Sequence, residues 1–160
     1  MITIEPPRAK AGAGLTKTAV ARFMGRARKA VGLTGEVHVL LADDTTLRRL
    51  NRQFRGKDKA TDVLSFPAGA ATVFFGEKEL AGDLAISLET AARQAKRFGH
   101  TLADEVRVLL LHGLLHLAGF DHERDSGEMA AREQELRGKL GLPGGLIERV
   151  RPPARKKVRA

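Results

Sequence analysis

The chain contains no cysteine, no tryptophan and no tyrosine among its 160 residues. Without thiols it can build neither a disulfide framework nor a thiolate metal centre, so any metal must be held by histidine and carboxylate. Its aromatic side chains are seven phenylalanines, which makes base stacking a minor resource and leaves charge and shape to do more in any nucleic-acid contact. Long apolar runs are missing as well. Charges or glycines interrupt each one before the roughly 18 to 20 residues that a membrane span needs, and no charged-apolar-cleavage pattern opens the chain. The expectation is a cytoplasmic protein with no membrane partner.

Apart from Glu5, acid is absent from both ends. Residues 6–35 carry seven Lys/Arg and residues 151–160 carry five, and neither stretch contains Asp or Glu. The formal net charge of +9 therefore sits outside the middle of the chain, residues 36–150, whose own balance is about −2. Basic ends on a near-neutral body suit a polyanion, because neutralising phosphates releases counterions; they also serve simply as solubilising surface.

Hydrophobic residues make up 42% of the chain, enough for one core and too few residues in all for two full domains. Residues 1–142 are expected to form a single domain. Pro143, Gly144 and Gly145 close it, and residues 143–160 read as a basic, flexible tail. The alternation at Ile2 and Ile4 predicts a short strand. Apolar residues from Leu15 to Val31 recur at helical spacing up to Gly32, with Arg22, Arg26 and Lys29 on the opposite face.

Val37, Val39 and Leu41 predict a strand covered on both faces. Asp43 or Asp44 then caps a helix that turns Leu47, Leu50 and Phe54 inward and ends near Gly56. Thr61–Phe66 and Leu80–Ser87 read as strands around a loop, and Glu89–Phe98 as a helix stopping at Gly99. Thr101 and Asp104 have capping-box spacing, and the run from Val106 to Leu117 is apolar nearly all round, as a central buried helix would be. Asp125 with Glu128 opens a last helix to about Leu140. Four strands mixed with five helices predict an α/β (α+β) domain, a small mixed four-stranded sheet packed with about five helices.

Three of the five histidines fall within eleven residues. His112 and His116 are four apart on the predicted central helix, so their rings leave one face about a turn apart. Gly119 can take a left-handed conformation and reverse the chain, bringing His122 to the same point. A single histidine is more often a packed or solvent-facing residue than a ligand. Two of them inside an apolar helix would each cost about 1–3 kcal/mol if buried without a partner, and a shared ion removes that cost. Zinc is the first expectation, three imidazoles leaving its fourth position to water, as in a catalytic site. His38 and His100 lack partner spacing and read as ordinary. The spacing His112, His116, Gly119, His122 resembles the zinc ligands of metzincin peptidases, a zincin-like helix, with Gly113 where those enzymes place a glutamate base.

The string His112-Gly-Leu-Leu-His-Leu-Ala-Gly-Phe-Asp-His122 also resembles the signature of the YbeY family of bacterial rRNA maturation factors, which are metal-dependent endoribonucleases. Asn51-Arg-Gln-Phe-Arg-Gly-Lys-Asp58, Thr61-Asp-Val-Leu-Ser-Phe-Pro67 and Gly82-Asp-Leu-Ala-Ile-Ser87 look like that family's other blocks, in its order, over about residues 36–140. The resemblance implies zinc on His112, His116 and His122 and cleavage of single-stranded RNA. It further implies maturation of the 3′ end of 16S rRNA beside the ribosomal small subunit and its assembly factors, with no DNA partner expected.

By position, Arg55 matches the arginine the family is thought to need for activity; alone it would read as a solvent-facing helix end. Phe120 stands where a tyrosine is frequent. Asp83, Asp121 and Glu123 are the carboxylates nearest the motifs, any of them a base or an acceptor for an imidazole, and Lys57 and Lys59 read as an exposed turn. Two other readings stay open: a non-catalytic ribosome-assembly or RNA-chaperone module with a structural metal, and another zinc hydrolase.

Overall fold

The computed structural model describes residues 2–4, 15–68 and 80–143. The segment between the third and fourth strands, for the most part, and the basic tail expected at 143–160, apart from Pro143, lie outside the described residues. The element order is β1 (Ile2–Ile4), α1 (Lys17–Val31), β2 (Glu36–Ala42), α2 (Asp44–Arg55), β3 (Val63–Pro67), β4 (Leu80–Ser87), α3 (Leu88–Phe98), α4 (Leu102–Leu117) and α5 (Glu128–Leu140). The strands form one mixed sheet in the order β1-β2-β4-β3. β1, β2 and β4 run parallel, and β3 closes one edge antiparallel to β4.

Local sequence explains where the helices start. Thr16, Asp43, Ser87 and Thr101 stand just before α1 to α4, and each side-chain oxygen accepts a backbone N–H three residues on, supplying a donor group of the first turn with the partner it lacks within the helix. The choice left open between Asp43 and Asp44 resolves to Asp43. The last helix begins differently: Asp125, expected with Glu128 to open it, accepts from the N–H groups of Gly127 (2.9 Å) and Met129 (2.8 Å), so its carboxylate caps α5 from two residues before the N-cap Gly127.

The two-residue alternation of the strands sorts side chains between faces. Val37, Val39, Leu41, Leu84 and Ile86 join the main core with α1, α3, α4 and α5. Ala42, Leu64 and Ala85 join Leu47 in a smaller cluster beneath α2, on the opposite face. Phe54 departs from expectation. It is expected inward with Leu47 and Leu50, yet it is 60% exposed, because the last turn of α2 lies over the edge strand, where among the described residues the ring of Phe66 meets it edge-on at 5.4 Å.

α2 is tied down at its other end. Asp44 accepts from Ser87 Oγ (2.6 Å), Thr90 Oγ1 (2.5 Å) and an Arg93 guanidinium nitrogen (2.8 Å), and its own N–H donates to Glu89 (2.9 Å). Burial works to raise the Asp44 pKa, but the hydrogen bonds from Ser87, Thr90 and Arg93 outweigh it and hold the carboxyl below its ordinary value. This joint fixes α2, and with it Asn51 and Arg55, against α3.

α4 is the centre of the molecule. Eleven of its sixteen residues are buried, from Ala103 to Leu115, between the sheet and α1, α3 and α5. Its approach to the sheet is close because Gly113 faces Leu84: a Cβ there would lie 2.7 Å and 3.2 Å from the Leu84 methyls and 3.3 Å from Ser65 Oγ. Overpacking of this kind costs typically about 1–3 kcal/mol. Gly113→Ala is expected to lower unfolding free energy by about that amount, read from urea melts at unchanged m-value.

Candidate metal centre

The end of α4 shows why three histidines from one short stretch can converge. His112 and His116 share a helix face, with ring centroids 4.7 Å apart. The helix closes as the Phe120 N–H returns to Leu115 O (3.0 Å), with Gly119 at φ 99° making the turn that a side chain would strain. Phe120 itself packs against the main core. The reversed chain then presents His122, whose ring lies 5.5 Å from His112 and 5.6 Å from His116.

The ligand atoms of the three rings all lie within 4.8 Å of one another, and no other His, Cys, Asp or Glu among the described residues joins the group. His112 Nε2 and His116 Nε2 face each other at 3.1 Å. That is near the separation, about 3.3 Å, of two nitrogens each about 2.0 Å from one tetrahedral ion. His122 Nδ1 is buried with no hydrogen-bond partner, the kind of orphaned polar atom that native interiors seldom keep. Burial first, then the neighbouring His112 and His122, hold the His116 pKa below its ordinary value, so its lone pair is available near neutral pH. This donor set fits a borderline divalent cation and not a hard one that requires oxygen ligands.

The residue that aims His112 was missed in the sequence. Glu133, on α5, is 2% exposed, and its carboxylate accepts from His112 Nδ1 at 2.9 Å. An ionised carboxylate only accepts, so Nδ1 carries the proton and Nε2 keeps its lone pair toward the other two rings. A signal was present: Met129, Glu133 and Leu136 share one helical face and all are buried, so Glu133 is an acid in an apolar stripe.

The nearer carboxylates do other things. Asp83 is one residue from Leu84 on β4, so it points to the opposite face of the sheet, where it meets His38 at 3.3 Å with both groups about half exposed. Asp121 lines the cleft, but its Oδ1 accepts the Glu123 N–H (3.1 Å) and shapes the loop. Glu123 lines the same cleft and is exposed. His100 is taken up by Glu105, which is fully buried on α4. Neither His38 nor His100 belongs to the centre.

The cleft, of about 650 Å3, brings the histidines together with Arg55, Lys57 and Lys59. Arg55 is the exposed last residue of α2; its guanidinium donates to Ser65 O (2.8 Å) on the edge strand and lies 6.0 Å from the centre of the Phe66 ring. That bond uses one of its five N–H donors. Lys57 and Lys59 sit on a turn that two contacts hold in place. The buried Asn51 donates to Lys59 O (2.9 Å), and Arg48 grips Asp58 with two nitrogens at 2.8 Å and 3.2 Å. Two further cavities, of about 450 and 630 Å3, flank α1 and contain no histidine.

Residues 9–141 match the family model described as Endoribonuclease YbeY. The chain belongs to the YbeY family. It is 56% identical to the Endoribonuclease YbeY of Koribacter versatilis over 144 residues, covering 90% of each chain. It is 52% identical to that of Solibacter usitatus, covering 88% of this chain and 90% of the relative. The chloroplastic Endoribonuclease YBEY of Arabidopsis thaliana is 49% identical over 119 residues, 72% of this chain and 20% of the plant protein. Among solved structures, a Thermotoga maritima protein determined in solution superimposes with a TM-score of 0.56 at 27% identity, covering 88% of this chain and 89% of its own. The four blocks that resembled the YbeY family thus lie within a family match that runs through both the histidine loop and the Arg55 turn.

Two outcomes test this geometry. Glu133→Ala removes the acceptor that orients His112 and is expected to weaken binding of added Zn2+ about 10–100-fold in chelator competition. The lowered His116 pKa means that metal-free folded protein binds fewer protons than the unfolded chain once the pH falls through about 6.5, so stability drops with it. Melts in chelator between pH about 7 and about 5.5 are expected to show this fall, and His116→Asn to make it shallower.

Proposed function

We propose that this chain is a metal-dependent endoribonuclease that cuts single-stranded RNA, with zinc held by His112, His116 and His122 and with Arg55 as a catalytic residue. The single observation that carries the reading is one cleft lined both by the three histidines and by Arg55, Lys57 and Lys59, in a chain of the YbeY family. When bound, such an ion supplies Lewis acidity, polarising a phosphoryl oxygen and making water a stronger nucleophile near neutral pH.

The side chains account for the rest. Arg55 is planar and permanently charged, and its remaining donors can grip a phosphodiester in two parallel bonds. Its hydrogen bond to Ser65 O and the Phe66 ring hold it at the cleft mouth, so little freedom is lost on binding. Lys57 and Lys59 add positive charge along the path of the strand, which favours a polyanion over a neutral substrate. Glu133 keeps His112 in the ligand tautomer.

The family name and the basic ends support a biological setting. We assign the chain to maturation of the 3′ end of 16S rRNA and to ribosome biogenesis in the cytoplasm, working with the small subunit and its assembly factors. No helix among the described residues is long and apolar enough to cross a membrane. Residues 1–142 make up the working domain in this reading, with 143–160 as a basic appendage.

Gly113 favours one second reading. The glutamate base of zinc peptidases has no counterpart there, and the space a side chain would need is filled by Leu84; a ribosome-assembly or RNA-chaperone module with a structural metal would need no such base. Zinc-loaded protein incubated with single-stranded and duplex RNA separates the two. Cleavage confined to single strands, lost in His116→Ala and reduced about 10²–10³-fold in kcat/KM by Arg55→Ala, is the expected result. Equal cleavage by His116→Ala, or none by wild type, would leave the assembly module standing. Metal-dependent turnover of casein would instead point to a peptidase.

A further inference from the structure

We propose that the exposed face of α1 is a docking surface for the phosphate backbone of base-paired RNA, separate from the histidine cleft. The proposal rests on the ribonuclease reading and adds a shape to the substrate: a double-helical segment beside the single strand that is cut.

α1 carries Lys17, Arg22, Arg26, Arg28 and Lys29 and no acid. Val20, Phe23, Met24 and Ala27 are its buried face, and Arg22, Arg26 and Lys29 follow one another along the exposed one. Their spacing of four and then three residues sets the charges roughly 6 and 4.5 Å apart along the helix axis, a short positive stripe that can lie along the closely spaced phosphates of a nucleic-acid duplex.

On other helices at least one cation is paired internally. On α2 Arg48 pairs with Asp58, on α3 Arg93 pairs with Asp44, and on α5 Arg132 pairs with Glu135. Among the described residues no acid forms an ion pair with Arg22, Arg26 or Lys29. Arg28 is different, since its guanidinium donates to Gly35 O and secures the turn into β2.

Two features favour backbone over base recognition. The aromatic ring of α1, Phe23, is 4% exposed and lies beneath the Arg26 guanidinium at 5.9 Å, so no base can stack on it; duplex RNA is bound mainly through shape, phosphate and 2′-hydroxyl contacts. Gly25, among the three cations, is exposed, and a Cβ there would meet nothing within 4 Å. Glycine is unfavourable within a helix and packing does not require it here, while its bare backbone lets a bulky polyanion come close. None of these residues lines the histidine cleft.

The test compares the full chain with the triple variant Arg22→Gln, Arg26→Gln, Lys29→Gln, folding being checked by circular dichroism. Binding to a blunt RNA duplex is titrated across salt concentrations, and cleavage of a short single-stranded oligonucleotide is followed in parallel. Wild type is expected to bind the duplex, and the variant to bind it about 10–100-fold more weakly at low salt, with a log K against log salt slope shallower by about two to three. Cleavage of the short strand is expected to be unchanged. Equal duplex affinity and slope in the variant, absence of duplex binding by wild type, or equally tight binding of polyglutamate would overturn the proposal. A wild type that binds duplex without cutting single strands would refute the ribonuclease reading and leave this surface intact.

Discussion

The hydrogen bond between His112 Nδ1 and the Glu133 carboxylate is the contact on which the site depends. The buried part of a helix has no solvent to satisfy its polar groups, so each one it carries there needs a partner from a neighbouring element. α4 carries two such groups, and both are answered by a histidine–glutamate contact: Glu105 with His100 near its start, and His112 with Glu133 near its end. The first stands apart from the three-histidine group. The second fixes the proton on one ring nitrogen and leaves the other facing His116, in a group that could hold a metal ion.

The remainder of the centre is arranged around that fixed ring. The helix supplies His116 by its own period, and the tight reversal after Leu117 supplies His122. Across the cleft the edge strand β3 provides the carbonyl that holds Arg55, while Asn51 and Arg48 hold the turn bearing the two lysines. Arg55 and the two lysines stand at or just beyond the end of α2, whose other end is anchored at Asp44. The junction of α2 with α3 therefore bears on the shape of the cleft although it lies away from it.

Much of this was legible in the residues. Periodicity gave the strand from Leu80 to Ser87 with its observed bounds and the central helix with its buried character, and the capping residues gave helix starts to within a residue or two. The histidine spacing gave the three rings as one group. What was hidden depended on pairings distant in sequence. Glu133 lies 21 residues from His112, and local pattern cannot say which helix will pack beside α4. Asp83 looked near the motifs along the chain but stands on the other side of the sheet, because neighbouring residues of a strand face opposite ways. Phe54 kept the helical period of an inward residue where the edge strand lay beneath it, and strand order, the missing datum, decides which strand stands at the edge.

Gly113 has a bearing on how this scaffold could change its chemistry. In zinc peptidases with the same histidine spacing, the equivalent position bears the proton acceptor, so on paper a single codon change is a short path from one hydrolase to the other. Leu84 and Ser65 crowd that path. A carboxylate there would have to push the Leu84 methyls aside, so space in the sheet below, and not the codon alone, governs passage between two sites whose histidine motifs look one letter apart.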